Sequence, residues 1–141
     1  MRKRLLLFFI GLTLLPSVIL AQTGKVMDNL SMTSKILKME RKFAVYLPPD
    51  YHTSERSYPV LYLLHGGGDD QTGWVQFGEV LHIADKAIQD RKSTPMIIVM
   101  PDADSSFYIN SYDGKEKYED FFIKEFIFLK LYTRRMWSYV H

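Results

Sequence analysis

Cysteine is absent from all 141 residues, which excludes disulfides, thiol nucleophiles and Cys-ligated zinc. A strong charge of one sign is also missing, since 18 Lys and Arg stand against 16 Asp and Glu. No Lys/Arg stripe interleaves with the aromatics, so a nucleic-acid partner is not expected. Internal repeats and low-complexity tracts are lacking as well. The remaining composition, 47% hydrophobic, 14% aromatic and 24% charged, suits one globular domain rather than a disordered chain.

The longest hydrophobic run lies at the very start. Arg2, Lys3 and Arg4 form a basic region, Leu5 to Leu15 an apolar one, and Ala21 offers a small residue before Gln22, the pattern of a cleaved export signal over residues 1–21. Pro16 interrupts the run and no stop-transfer pattern follows, so no stable membrane anchor is expected. Its removal takes away three of the 18 Lys and Arg and no Asp or Glu, leaving a net charge of −1. The expected location is periplasmic or extracellular.

Further on, Met32 to Met39 and Lys42 to Leu47 read as two strands of a hairpin turning at Glu40 and Arg41, the second stopped by Pro48 and Pro49. A polar loop then leads into Val60 to Leu64, apolar on both faces, as expected of a central strand covered by helices and parallel to a neighbour. Glu79 to Asp90 carries Val80, Ile83, Ala84, Ala87 and Ile88 at helical spacing. Met96 to Met100 is a second doubly apolar strand, closing a βαβ unit. Asp102 to Lys115 forms a polar loop at that strand's carboxyl end, where open α/β sheets place their ligands, and Tyr118 to about Phe126 reads as a helix.

The strand at Val60 runs directly into His65 and three glycines, Gly66, Gly67 and Gly68. Without a Cβ, this backbone can take positive φ and turn N–H groups toward an anion or a developing oxyanion; an ordinary tight turn is the alternative. No serine occupies the G-x-S-x-G elbow that such a loop commonly serves. Ser105, Ser106 and Ser111 lie in the polar loop, Ser138 lies near the end, and His52, His82 and His141 have no evident partners. Asp69, Asp70, Asp102 and Asp104 lack a ligand constellation, so no metal and no cofactor are expected. Trp74 and Tyr108 are candidates for a substrate wall or sugar-stacking platform, with core packing as the alternative.

Taken as an ordered set, several blocks resemble the amino-terminal half of the esterase group of α/β-hydrolases, which includes feruloyl, acetyl-xylan and enterochelin esterases and esterase D-type enzymes. The blocks are Ser34–Leu37, Val45–Tyr51, Tyr58–Asp70, Gly73-Trp74, Pro95–Asp102 and Tyr118–Phe126. The resemblance runs from about Ser31 to Ile127. It implies an α/β-hydrolase fold and ester hydrolysis by a Ser–His–Asp/Glu triad. It also implies that Gly66 and Gly67 belong to the oxyanion loop and that His65 is structural.

The resemblance stops at about Ile127, and residues 128–141 read as an unmatched tail, either a frameshift or a divergent end. The expected fold is therefore a truncated α/β-hydrolase: a leading hairpin and a βαβ unit over residues 22–127, with the nucleophile strand and later elements missing. The expected function is that of a fragment of a secreted serine esterase acting on acylated plant-wall sugars or similar esters, inactive alone for want of a triad. A noncatalytic glycan or acyl-sugar binding module is the alternative. With no nucleophile strand beside it, the Val60 strand should present an open apolar edge and promote self-association.

Overall fold

The computed structural model describes residues 22–128; the expected export signal and all but the first residue of the unmatched tail lie outside them. Eight elements follow one another: β1 (Lys25–Ser34), β2 (Met39–Leu47), β3 (Val60–Tyr62), α1 (Gly73–Gln76), α2 (Val80–Gln89), β4 (Ile97–Pro101), α3 (Tyr118–Phe121) and a π-helical continuation at Phe122–Phe126. The strands form one sheet in the order β1-β2-β4-β3. β1 and β4 run antiparallel to β2, and β3 runs parallel to β4. The expected hairpin and βαβ unit are both present.

Alternation along β2 and β4 builds two cores. Phe43, Val45 and Leu47 join Ile97 and Val99 on one face, where Tyr118, Phe121 and Phe126 cover them. Ala44 and Tyr46 join Ile98 and Met100 on the other, against Val80, Ala84 and Ile88 of α2. Five consecutive residues, Ile97 to Pro101, are buried, the signature of a strand covered on both sides. Burial of a side chain such as Phe43 or Val99 contributes about 1.5–3 kcal/mol.

Three expectations need correction. The hairpin turns at Lys35–Lys38, not at Glu40 and Arg41, and β1 begins as early as Lys25. Lys38 takes φ 56° there, a left-handed conformation that a lysine does not advertise. The short helix α1 was not expected. β3, apolar on both faces, lies at the open end of the sheet, as expected for a chain without the nucleophile strand, but it ends at Tyr62 rather than Leu64. Leu61 is consequently 44% exposed.

Candidate active site

The carboxyl ends of the parallel strands β3 and β4 bring His65, the three glycines, Asp102 and Tyr108 together. The His65 side chain is 2% exposed. The backbone N–H of Ala103 donates to His65 Nε2 at 3.0 Å, so Nε2 is an acceptor and the ring proton resides on Nδ1. Nδ1 in turn donates to the carbonyl of Gly66 at 2.8 Å. Asp102 Oδ1 lies 3.9 Å from Nε2, too far for a hydrogen bond. His65 thus ties the glycine loop to the end of β4, the structural role that the resemblance implies.

This tie has a geometric consequence. The carbonyl of Gly66 and the N–H of Gly67 share one trans peptide and point in opposite directions. With the carbonyl held by His65, and also accepting from the Asp69 N–H at 3.3 Å, the Gly67 N–H is turned away from both. A Cβ added at Gly66 or Gly67 would meet nothing within 4 Å, and neither has positive φ; among these three, only Gly68 does, at 82°. Packing and backbone conformation therefore do not demand glycine at 66 and 67. The room in front of them is what a side chain would occupy.

Two aromatic residues flank the loop. The Tyr108 hydroxyl accepts the N–H of His65 at 2.8 Å and donates to the His65 carbonyl at 3.3 Å, clamping the backbone where β3 ends. Burial pushes its hydroxyl pKa up to about 12, opposed by the hydrogen bond from His65. Trp74 Nε1 donates to the carbonyl of Leu64 at 2.8 Å. In β3, residues 59, 61 and 63 bond toward β4, so the Leu64 carbonyl points to the open edge, and the indole caps it. Trp74, 37% exposed, also walls an apolar groove of about 210 Å³ with Leu61, Leu63, Val80, Ile83 and Met96.

Both candidate wall residues thus bind the backbone just before the glycines with their polar atoms, Trp74 at Leu64 and Tyr108 at His65. The hydroxyls of Ser106 and Ser111 accept loop N–H groups, from Tyr108 and Glu116. Ser138 and His141 lie outside the described residues. Among those described, no group of three His, Asp or Glu could hold a metal. Sequence reasoning missed the aiming of the Gly67 N–H by His65; the adjacency of a histidine to the glycines was its only signal.

A family model described as Putative esterase matches residues 34–128. An esterase of Mycobacterium tuberculosis (strain ATCC 25618 / H37Rv) is 40% identical over 87 residues, covering 59% of this chain and 18% of that protein. An endo-1,4-beta-xylanase/feruloyl esterase of Xylanibacter ruminicola is 43% identical over 60 residues, 40% of this chain and 8% of that protein. Among solved structures, a ferulic acid esterase superposes with a TM-score of 0.68 at 33% identity, covering 74% of this chain and 42% of its own. A ferulic acid esterase from Anaeromyces mucronatus, in complex with ferulic acid, gives 0.56 at 26% identity, over 74% and 40%. The chain thus spans under a fifth of these sequence relatives and less than half of the solved structures.

Proposed function

This chain belongs to the Putative esterase family, and from that premise we propose that it is the amino-terminal part of an exported serine ester hydrolase acting on acylated plant-wall sugars or similar esters. Its fold is that part of the α/β-hydrolase fold which carries the first hairpin and the βαβ unit. The observation that carries the reading is the His65–Gly66 bond, which turns the Gly67 N–H away from His65, at positions where an added Cβ would meet nothing within 4 Å. There it would donate to the oxyanion formed as an ester carbonyl is attacked, with Gly66 beside it. The feruloyl esterases among the relatives support an aryl-acyl sugar ester as substrate.

The 141 residues hold no G-x-S-x-G elbow, so the chain alone would lack a nucleophile and the base that activates it, and with them triad catalysis. Export is supported by the pattern of residues 1–21. Among the described residues no helix is long and apolar enough to cross a membrane. The test is initial-rate hydrolysis of aryl acetates and methyl ferulate by the purified chain starting at Gln22. Background rates are expected; robust turnover abolished by a serine-directed inhibitor would overturn the reading.

The half-exposed Trp74 ring beside an apolar groove favours a second reading, a noncatalytic module that holds an acylated sugar. Saturable binding of feruloylated xylan oligomers without hydrolysis would support it. In either reading the open edge of β3 is expected to promote self-association.

A further inference from the structure

On the face of the sheet covered by α2, Asp85 holds the first described residues. The Gly24 N–H donates to both carboxylate oxygens, 3.0 Å to Oδ1 and 2.9 Å to Oδ2. The fully buried Tyr46 adds its hydroxyl to Oδ1 at 2.8 Å. Gly24 fits this seat closely, since a Cβ there would come within 2.7 Å of Asp85 Oδ1 and of the Leu47 carbonyl and would collide with the Tyr46 ring. β1 starts at the next residue, Lys25, opposite Leu47. The seat therefore sets where the hairpin begins.

A carboxylate has about four acceptor positions, and Oδ2 receives only the Gly24 N–H among the described residues. Thr23 lines the adjoining cleft with Glu79, His82, Asp85 and Lys86. The cleft lining thus carries two carboxylates, Glu79 and Asp85, against Lys86, whose Nζ lies 3.2 Å from Asp90 one turn along its own helix. Gln22 precedes Gly24 by two residues, so its backbone nitrogen is at most about 7 Å from that of Gly24. If the chain is cut after Ala21, that nitrogen becomes an α-ammonium.

We propose that Asp85 is the receptor for the processed amino terminus, its carboxylate pairing with the α-ammonium of Gln22 while it holds the Gly24 N–H. The proposal rests on the export reading for the natural origin of that terminus. Cleavage then does more than remove residues 1–21, because it creates the cation that completes the Asp85 seat and fastens the start of β1 to α2. Glu79, across the same cleft, adds to the field that attracts it.

The experiment uses protein made to begin at Gln22, which keeps it independent of whether the cell performs the cleavage. The α-amine of an amino-terminal Gln can attack its own side-chain carboxamide, forming the N–C bond of a lactam and expelling ammonia. That product is uncharged and has the same length, so it serves as the control. Lactam formation is expected to lower the melting temperature by about 3 °C in the wild type and to leave D85N unchanged. An equal loss in both, or none in the wild type, would overturn the proposal. Should D85N fail to fold, amide exchange at Gly24 in the otherwise unaltered protein decides. About threefold faster exchange in the lactam form is expected, and an unchanged rate would overturn the proposal. Sequencing the terminus of the exported protein tests the export reading separately.

Discussion

Glu125 in the π-helical turn and Ser34 at the end of β1 lie 91 residues apart and share a 2.5 Å hydrogen bond, Ser34 Oγ donating to Glu125 Oε2. The other oxygen, Oε1, accepts the N–H groups of Lys35 and Ile36 at 3.1 and 3.2 Å. Ser34 Oγ itself accepts the Leu37 N–H at 2.9 Å. One carboxylate thus caps the β1–β2 turn and fixes the covering segment to the hairpin. Glu125→Ala should cost about 2 kcal/mol, because three donors lose a charged acceptor. Denaturant unfolding measures this loss, and Glu125→Gln, which keeps one acceptor oxygen, should recover part of it.

The glycine loop provides a contrast between positions that the fold requires and those that it does not. Gly66→Ala and Gly67→Ala should leave the melting temperature within about 1 °C, since the added methyl meets nothing within 4 Å and φ is ordinary. Gly68→Ala should cost about 1 kcal/mol for forcing a side chain into φ 82°. Gly24→Ala should cost more, for its Cβ meets Tyr46, Asp85 and backbone. Thermal melts of the four variants check the order. A large loss at Gly66 or Gly67 would show that packing, rather than access, explains those glycines.

How far the sequence disclosed this arrangement depended on the kind of signal. The doubly apolar run Met96 to Met100 and the helical spacing of Val80, Ala84 and Ile88 are burial patterns, and burial built β4 and α2 where they were expected. The turn at Lys35–Lys38 gave no such signal. It is held by Glu125 from far along the chain and by a lysine at positive φ, and neither is visible locally. The position of β3 depends on which strands are there to pair with, and its residues read the same at an edge or in the middle. At the site, glycine composition marked the loop. The direction of the Gly67 N–H depends on a His65 tautomer selected by the Ala103 amide, a contact 38 residues away.

That contact is itself testable. Replacing His65 by Leu leaves the buried Ala103 N–H without its acceptor and removes one of two donors to the Gly66 carbonyl, which keeps the Asp69 N–H, at an expected cost of about 1–3 kcal/mol. Amide exchange at Ala103 should quicken in step with the loss of stability. His65→Asn should recover less than half, since the shorter side chain cannot span both partners.

Alkaline stability follows from Tyr108. Its hydroxyl titrates at about 12 in the folded chain because burial disfavours the phenolate, against about 10 when unfolded. The raised value means that its contribution is complete below pH 10 and is lost as pH rises from 10 to 12, where the unfolded chain releases a proton that the folded chain retains. Allowing for partial exposure, the loss should be about 1–2 kcal/mol. Burial raises Tyr46 and Tyr118 as well, so the wild type should unfold steeply across this range. Tyr108→Phe should be less stable at neutral pH, lacking the two bonds to His65, and should lose less between pH 10 and 12. Equal alkaline slopes in the two proteins would show that Tyr108 ionises as readily folded as unfolded.

The edge of β3 yields the last prediction. Residue 60 directs its N–H and C=O groups to the open side, because 59 and 61 are turned to β4, and Trp74 covers the carbonyl of Leu64. Leu61, Leu64 and Ile83 are 44%, 41% and 60% exposed close by, so backbone groups ready to pair adjoin an apolar surface, the combination that recruits another strand. The chain beginning at Gln22 should sediment as a concentration-dependent oligomer. Leu61→Lys places a charge on that surface, where pairing would bury it, and should shift the population toward monomer with little change in secondary structure. Trp74→Ala should act in the opposite direction, uncovering the Leu64 carbonyl and lengthening the edge available for pairing. If sedimentation velocity found all three proteins monomeric at the same concentrations, the edge would be protected by some means other than the indole.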